Sequence, residues 1–156
     1  QWRWATADQE QMIGLLQRVS RASVTVAGRV TGRIDSGLLV FVGVHRDDGE
    51  TEIARLAERI LGYRVFPDGA GRMNLSVFDF QGGLLLVQLF SLAADSRMVS
   101  RASFKRASET GRVSSYFDYL VEKARLSLKT VENGEFGANM QVELVNDGPV
   151  TFWLET

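Results

Sequence analysis

The chain contains no cysteine, which excludes disulfides, thiolate metal sites and cysteine nucleophiles. Histidine occurs once, at His45, so histidine-rich metal centres are excluded and a single imidazole is left for any Ser-His-Asp arrangement. No GxSxG elbow, phosphate-binding loop or dinucleotide fingerprint is present. No apolar run reaches the ~18 residues of a membrane span, and no basic stretch leads into an apolar one near the start. The expected partners therefore include no membrane, and the expected compartment is the cytoplasm. Neither sign of charge prevails: 18 Lys and Arg against 19 Asp and Glu give a net charge of −1. No global basic field announces nucleic acid. Proline occurs only 2 times, at Pro67 and Pro149, so each marks a place where the chain must turn.

What is present describes an ordinary globular protein. The 156 residues are 45% hydrophobic and 24% charged, a length and composition that favour one compact domain. Residues 1–11, QWRWATADQEQ, differ from the rest of the chain, and are read as an N-terminal extension or a tag remnant. The domain is expected over 12–156, opening with the apolar run at Met12.

From 12 to 44 the pattern predicts β-structure: Leu15–Val19, then Ser23–Val26, a turn at Ala27-Gly28, and Val30–Ile34. GLLVFVGV at 37–44 is a continuous apolar run, expected as a central strand covered on both faces. Ile53, Leu56, Ala57, Ile60 and Leu61 then follow helical spacing, with Asp47 as the expected cap and Glu50 three residues on. Short strands are expected at Arg64–Phe66 and Leu75–Phe80, with Pro67-Asp68-Gly69 as a turn between them. Gly82-Gly83 reads as a hairpin turn, and Gly83–Leu92 as a second long apolar strand. Val113, Tyr116, Phe117, Leu120, Val121, Ala124 and Leu128 predict a second amphipathic helix. Met140–Asn146 alternates with period two, Gly148-Pro149 interrupts, and Val150–Leu154 resumes. The predicted class is α+β, with a mixed β-sheet or partly closed β-barrel and two main helices.

Chemistry-bearing features are few. His45 lies in His-Arg-Asp-Asp ahead of a helix and reads as a loop residue. Positive charge gathers in two zones that hold no acidic residue. One carries Arg18, Arg21, Arg29 and Arg33; the other carries Arg97, Arg101, Lys105 and Arg106. Two local zones on a near-neutral protein suit limited phosphate contact, or a solvated face balanced by acids in space. Asn146-Asp147-Gly148-Pro149-Val150-Thr151 places a Gly-Pro bond between two strands, where a tight corner, cis included, would fix carbonyl directions.

Several runs in this order resemble the D-aminoacyl-tRNA deacylases, also called D-tyrosyl-tRNA deacylases. They are Leu16-Gln-Arg-Val-Ser-Arg-Ala-Ser-Val24, Leu61-Gly-Tyr-Arg-Val-Phe66, Met73-Asn-Leu-Ser76, Phe90-Ser-Leu-Ala-Ala-Asp95 and Phe136-Gly-Ala-Asn-Met-Gln-Val-Glu-Leu-Val-Asn-Asp-Gly-Pro-Val-Thr151. The resemblance covers Met12 to Thr156. It implies a homodimer acting on the aminoacylated end of tRNA, without a metal or other cofactor. It implies that Gly148-Pro149 is cis, that Arg18 braces it, and that the corner enters the partner's site to reject L side chains. By the same resemblance Leu89, Phe90 and Ser91 form the catalytic segment. Phe136, Gly137, Met140, Asn146 and Thr151 contact substrate, and Arg97 and Arg101 meet the tRNA backbone. An aminoacyl ester is already activated and its ribose carries a neighbouring 2′-hydroxyl. Positioning and a main-chain oxyanion site then suffice, which suits a chain with no promising side-chain base.

The resemblance breaks at two places. The family's Ser-Gln-Phe-Thr-Leu corresponds to Gln88-Leu89-Phe90-Ser91-Leu92, so glutamine has moved by one position, which on a strand turns it to the opposite face. The family's Gly-Arg-Arg-Pro-Ser-Phe corresponds to Val99-Ser-Arg101-Ala-Ser-Phe104, with one arginine and the proline absent. Two functions are therefore expected to compete. One is hydrolysis of D-aminoacyl-tRNA, with mischarged glycyl-tRNA as a further substrate. The other is a dimeric RNA- or DNA-binding paralogue with weak or no turnover.

Overall fold

The structure, a computed structural model, describes residues 12–43, 49–89 and 107–155, with side chains in the last stretch from 114 onward. Its centre is a six-stranded mixed sheet. Strand β1 (Ile13–Val26) runs the length of it. Along one side, β1 pairs antiparallel with β3 (Gly37–Gly43) through its first half and with β2 (Arg29–Ile34) through its second. Along the other side lies β8 (Met140–Glu155), antiparallel from end to end. Strand β6 (Gly83–Gln88) joins β3 in parallel, and β7 (Val131–Asn133) joins β6 in parallel. Parallel neighbours need a crossover. Helix α1 (Glu50–Gly62) lies in the connection from β3 to β6, and α3 (Ala107–Arg125) in that from β6 to β7. The first connection also holds a small hairpin, β4 (Phe66–Pro67) with β5 (Met73–Leu75), and a single helical turn, α2 (Val77–Phe80).

The continuous apolar runs have the expected cause: β3 and β6 are covered on both faces. Leu38, Val40, Val42, Leu84 and Leu86 point to the helices and meet Ile53, Leu56, Ile60, Phe117 and Leu120. Leu39, Leu85 and Val87 point the other way, into a core shared with Val19, Ala22, Val24 and Ile34. A buried leucine contributes about 1.5–3 kcal/mol, so these two layers carry the fold. In β1, Leu16 faces the helices whereas Ala22 and Val24 face the second core. The change of side coincides with a register shift against β8 around Val19 and Arg21, a bulge that bends the strand. The bend brings β2 round to β7, where a Cβ on Gly32 would lie 3.1 Å from the Asn133 carbonyl oxygen. The sheet is nearly closed into a barrel.

Five expectations are corrected. Helix α1 begins at Glu50 with Gly49 as its cap, not at Asp47; Glu52 accepts the Gly49 N–H at 2.9 Å, so the acidic residue used is two positions further on. Leu75–Phe80 is not a strand. Ser76 accepts the Asp79 N–H and Asp79 accepts the Ser76 N–H, both at 3.0 Å, a reciprocal cap that starts α2. Arg64–Phe66 is reduced to Phe66–Pro67. Gly82-Gly83 is not a hairpin turn, because the strand it opens is parallel to β3; its closeness to Gly37 is instead a place where two backbones meet. The strand opened by Gly83 ends at Gln88.

Candidate active site

The interruption in β8 is built against one residue of β1. Gln17 is opposite Thr151 and Val19 opposite Asn146, so Asp147 to Val150 loop out across from Arg18. Asn146 closes the loop. Its Oδ1 accepts the Val150 N–H at 2.8 Å, and its Nδ2 donates to Thr151 Oγ1 at 3.1 Å and Gln17 Oε1 at 3.3 Å. The Gly148–Pro149 peptide is cis, as expected. Gly148 has φ +131°, and a Cβ there would sit 2.7 Å from Val150 Cγ2 and 3.0 Å from an Arg18 nitrogen. Only glycine fits. Asp147, Gly148 and Pro149 themselves are exposed.

Arg18 lies beneath this corner, only 7% exposed. Its Nε donates to the Asp147 carbonyl at 3.0 Å, and one terminal nitrogen donates to the Val65 carbonyl at 2.7 Å and to Met73 Sδ at 3.3 Å. The Asp147 carboxylate stands 3.6 Å from Nε. The guanidinium thus ties three distant segments of chain, and its place against the corner is the one the resemblance implies. Val65 and Met73 had no role assigned from sequence, although Met73 opens one of the runs that carry the resemblance.

A second group of expected residues lies at the end of β6 and in the passage from β7 to β8. Leu89 follows the last β6 residue, 38% exposed, and its N–H donates to the Val42 carbonyl at 2.9 Å. That bond occupies the Leu89 N–H within the sheet. Gly134 donates its N–H to Leu86, and a Cβ on Gly134 would strike Met140 Sδ at 2.6 Å. Met140 packs on the barrel core, Phe136 packs on the helix-side core, and Gly137 is exposed with φ +76°. Gln88 is drawn inward at 8% exposure, and its Oε1 has no hydrogen-bond partner among the described residues. Phe90, Ser91, Arg97, Arg101 and His45 lie outside the described residues.

The two groups are apart within one chain. Arg18 is opposite Leu38 on β3, while Leu89 bonds to Val42, four positions along the same strand. At about 3.3 Å per residue that is roughly 13 Å, with β1 and β3 standing between β8 and β6 as well. Beside the corner, on the outer face of β2, β1 and β8, lies a groove of ≈ 350 Å³ lined by Arg21, Ser23, Arg33, Asp35 and Glu143. Among the described residues these arginines form no ion pair within 4.0 Å with those carboxylates. Among the described residues there is also no cluster of three His, Cys, Asp or Glu able to hold a metal, and no helix long and apolar enough to cross a membrane.

Comparison with known proteins gives the chain's family. The family described as D-Tyr-tRNA(Tyr) deacylase matches residues 15–155. A D-aminoacyl-tRNA deacylase of Alkalilimnicola ehrlichii is 60% identical over 144 residues, 92% of this chain and 96% of that protein. One from Escherichia coli is 52% identical over 144 residues, 92% and 99% of the two chains. Among solved structures, the c-Myc DNA Unwinding Element Binding Protein superposes with a TM-score of 0.82 at 35% identity, covering 92% of this chain and 98% of that one. A probable eukaryotic D-amino acid tRNA deacylase shares the fold, at a TM-score of 0.72 and 14% identity. With a match spanning both groups of residues and relatives this close over nearly their whole length, the chain belongs to the D-Tyr-tRNA(Tyr) deacylase family.

Proposed function

We propose that this enzyme selects D over L substrates with the Arg18-braced corner of one subunit, set against the 89–91 segment of a second. The reaction is that of the family: hydrolysis of the ester bond of D-aminoacyl-tRNA, releasing the D-amino acid and free tRNA. Water adds to the ester carbonyl, the bond to the ribose oxygen breaks, and the proton passes to that oxygen with the neighbouring 2′-hydroxyl as relay. No side chain need act as base, because the ester is activated and holding it in place supplies the rest. The developing oxyanion would be met by main-chain N–H groups after Leu89, whose own N–H already serves Val42.

The observation that carries the two-subunit reading is the separation of the groups. An exposed corner ~13 Å along the strands from its own chain's Leu89 cannot border it. A two-fold arrangement would bring each corner to the other chain's segment and form two equal sites. Asn146 and Thr151 would then serve substrate mainly by fixing the corner, and Phe136, Gly137 and Met140 by shaping the opposite wall. Phosphates of the tRNA would be met by Arg97 and Arg101 and, beside the corner, by Arg21 and Arg33. The solved structure named for DNA-unwinding-element binding supports a nucleic-acid-binding reading, but at lower identity than the deacylases from the two bacteria.

Deacylation of D-Tyr-tRNA, L-Tyr-tRNA and Gly-tRNA, measured side by side, tests the reading. Cleavage of the D and glycyl esters with the L ester spared is expected. Equal cleavage of D and L esters would refute the selector, and tRNA binding without turnover of any of them would favour the binding paralogue.

A further inference from the structure

We infer that Met73 is a positioning residue for chiral selection: presented by the β4–β5 hairpin, it seats the Arg18 guanidinium that holds the Asp147 carbonyl at the corner. This rests on the reading that the corner sets selectivity, and adds what sets the corner.

A guanidinium is a planar fork, and its direction is defined only when its contacts are not collinear. Nε is anchored on the Asp147 carbonyl and a terminal nitrogen on the Val65 carbonyl. The same terminal nitrogen also donates to Met73 Sδ at 3.3 Å, which makes the thioether a third partner of the fork beside the two carbonyls. A thioether is a weak acceptor but a soft, unbranched one that adapts to the space beside a cation. Met73 is 49% exposed, so the hydrophobic core does not account for it.

The hairpin is built to keep Met73 in place. Met73 lies opposite Pro67. Between them Asp68 accepts from the Ala70 N–H at 2.8 Å, the Arg72 N–H at 3.0 Å and Asn74 Nδ2 at 2.8 Å. Its own N–H donates to the Arg72 carbonyl at 2.7 Å. Both chain neighbours of Met73 are therefore tied to one carboxylate. Val65, the other acceptor for the same nitrogen, leads directly into β4. One short hairpin thus forms a socket for the arginine that holds a corner on a different strand.

The test is the ratio of kcat/KM for D-Tyr-tRNA to that for L-Tyr-tRNA. Met73→Ala should lower it by about ten-fold or more, through a gain in L-ester cleavage. Met73→Gln, which returns an acceptor of similar reach, should restore most of it, and Asp68→Ala should fall between. The Arg18 Nε–H signal by NMR should lose protection from solvent exchange in Met73→Ala and regain it in Met73→Gln. The inference is overturned if Met73→Ala keeps the ratio within two-fold while Arg18→Lys loses it, or if the Nε–H stays protected. Should Arg18→Lys also keep the ratio, the corner is not the selector, and the proposed function is what has failed.

Discussion

Arg18 shows why one residue type is required at its position. Lysine offers a single point of charge and cannot donate to the Asp147 and Val65 carbonyls in two fixed directions, as the guanidinium does. Arg18→Leu leaves those carbonyls without their donor and should cost about 1–3 kcal/mol, measured by urea denaturation. Gly148→Ala must hold a side chain at φ +131° against Val150, and should cost about 1–3 kcal/mol in the same assay. Gln88 behaves in the opposite sense. Its buried Oε1 is unsatisfied among the described residues, so Gln88→Met should raise stability by about 1 kcal/mol. The shifted amide also bears on rate. Restoring the family order with Gln88→Ser and Leu89→Gln should speed D-ester cleavage if a substrate hydrogen bond was lost, by roughly five- to 150-fold for 1–3 kcal/mol. An unchanged rate would mean the shift is neutral.

The hairpin and its following turn illustrate what patterning does and does not reveal about an element. Both are pinned by carboxylates. At Asp68 the Asn74 amide, then the Arg72 and Ala70 N–H groups, hold the carboxyl below its usual range; at Asp79 the Ser76 N–H and hydroxyl do so. A lowered folded-state pKa gives stability that is present above the unfolded value and lost as pH falls through the folded one. The hairpin should therefore stay anchored through neutral pH and loosen only below the ordinary 3.8, seen as an acid midpoint for the Arg72 amide resonance. A midpoint near 5 would contradict it. The long elements were legible: alternation and continuous apolar runs mark β1, β3, β6 and β8, and helical spacing marks α1 and α3. The short ones were not. Leu75–Phe80 is apolar enough to read as a strand, yet Ser76 and Asp79 carry a capping signature that outweighs it. Arg18, Asn146, Gly148 and Pro149, which the structure brings together at the corner, are residues the resemblance points to. Val65 was not legible, because a main-chain carbonyl leaves no mark in side-chain chemistry. Gly49 was missed as a cap because glycine carries no capping side chain.

At the scale of the molecule, the proposed division of the site between two chains has consequences that a single chain lacks. In a mixed dimer of an Arg18→Leu chain and a chain altered at 89–91, D-over-L selectivity should return, since one of the two sites would be intact and the other dead. Unselective cleavage by the isolated mixed dimer, with both parents dimeric, would contradict the division. Replacing Arg21 and Arg33 with glutamine should raise KM for D-aminoacyl-tRNA and flatten its salt dependence, checked by kinetics across ionic strength. The corner itself is exposed and is held from below by side-chain bonds, whereas the barrel is held by two apolar layers. Structures open locally at lower free energy than they unfold. On warming, then, accuracy should fail before integrity: the enzyme would begin to hydrolyse correctly charged L-aminoacyl-tRNA at temperatures where it is still fully folded.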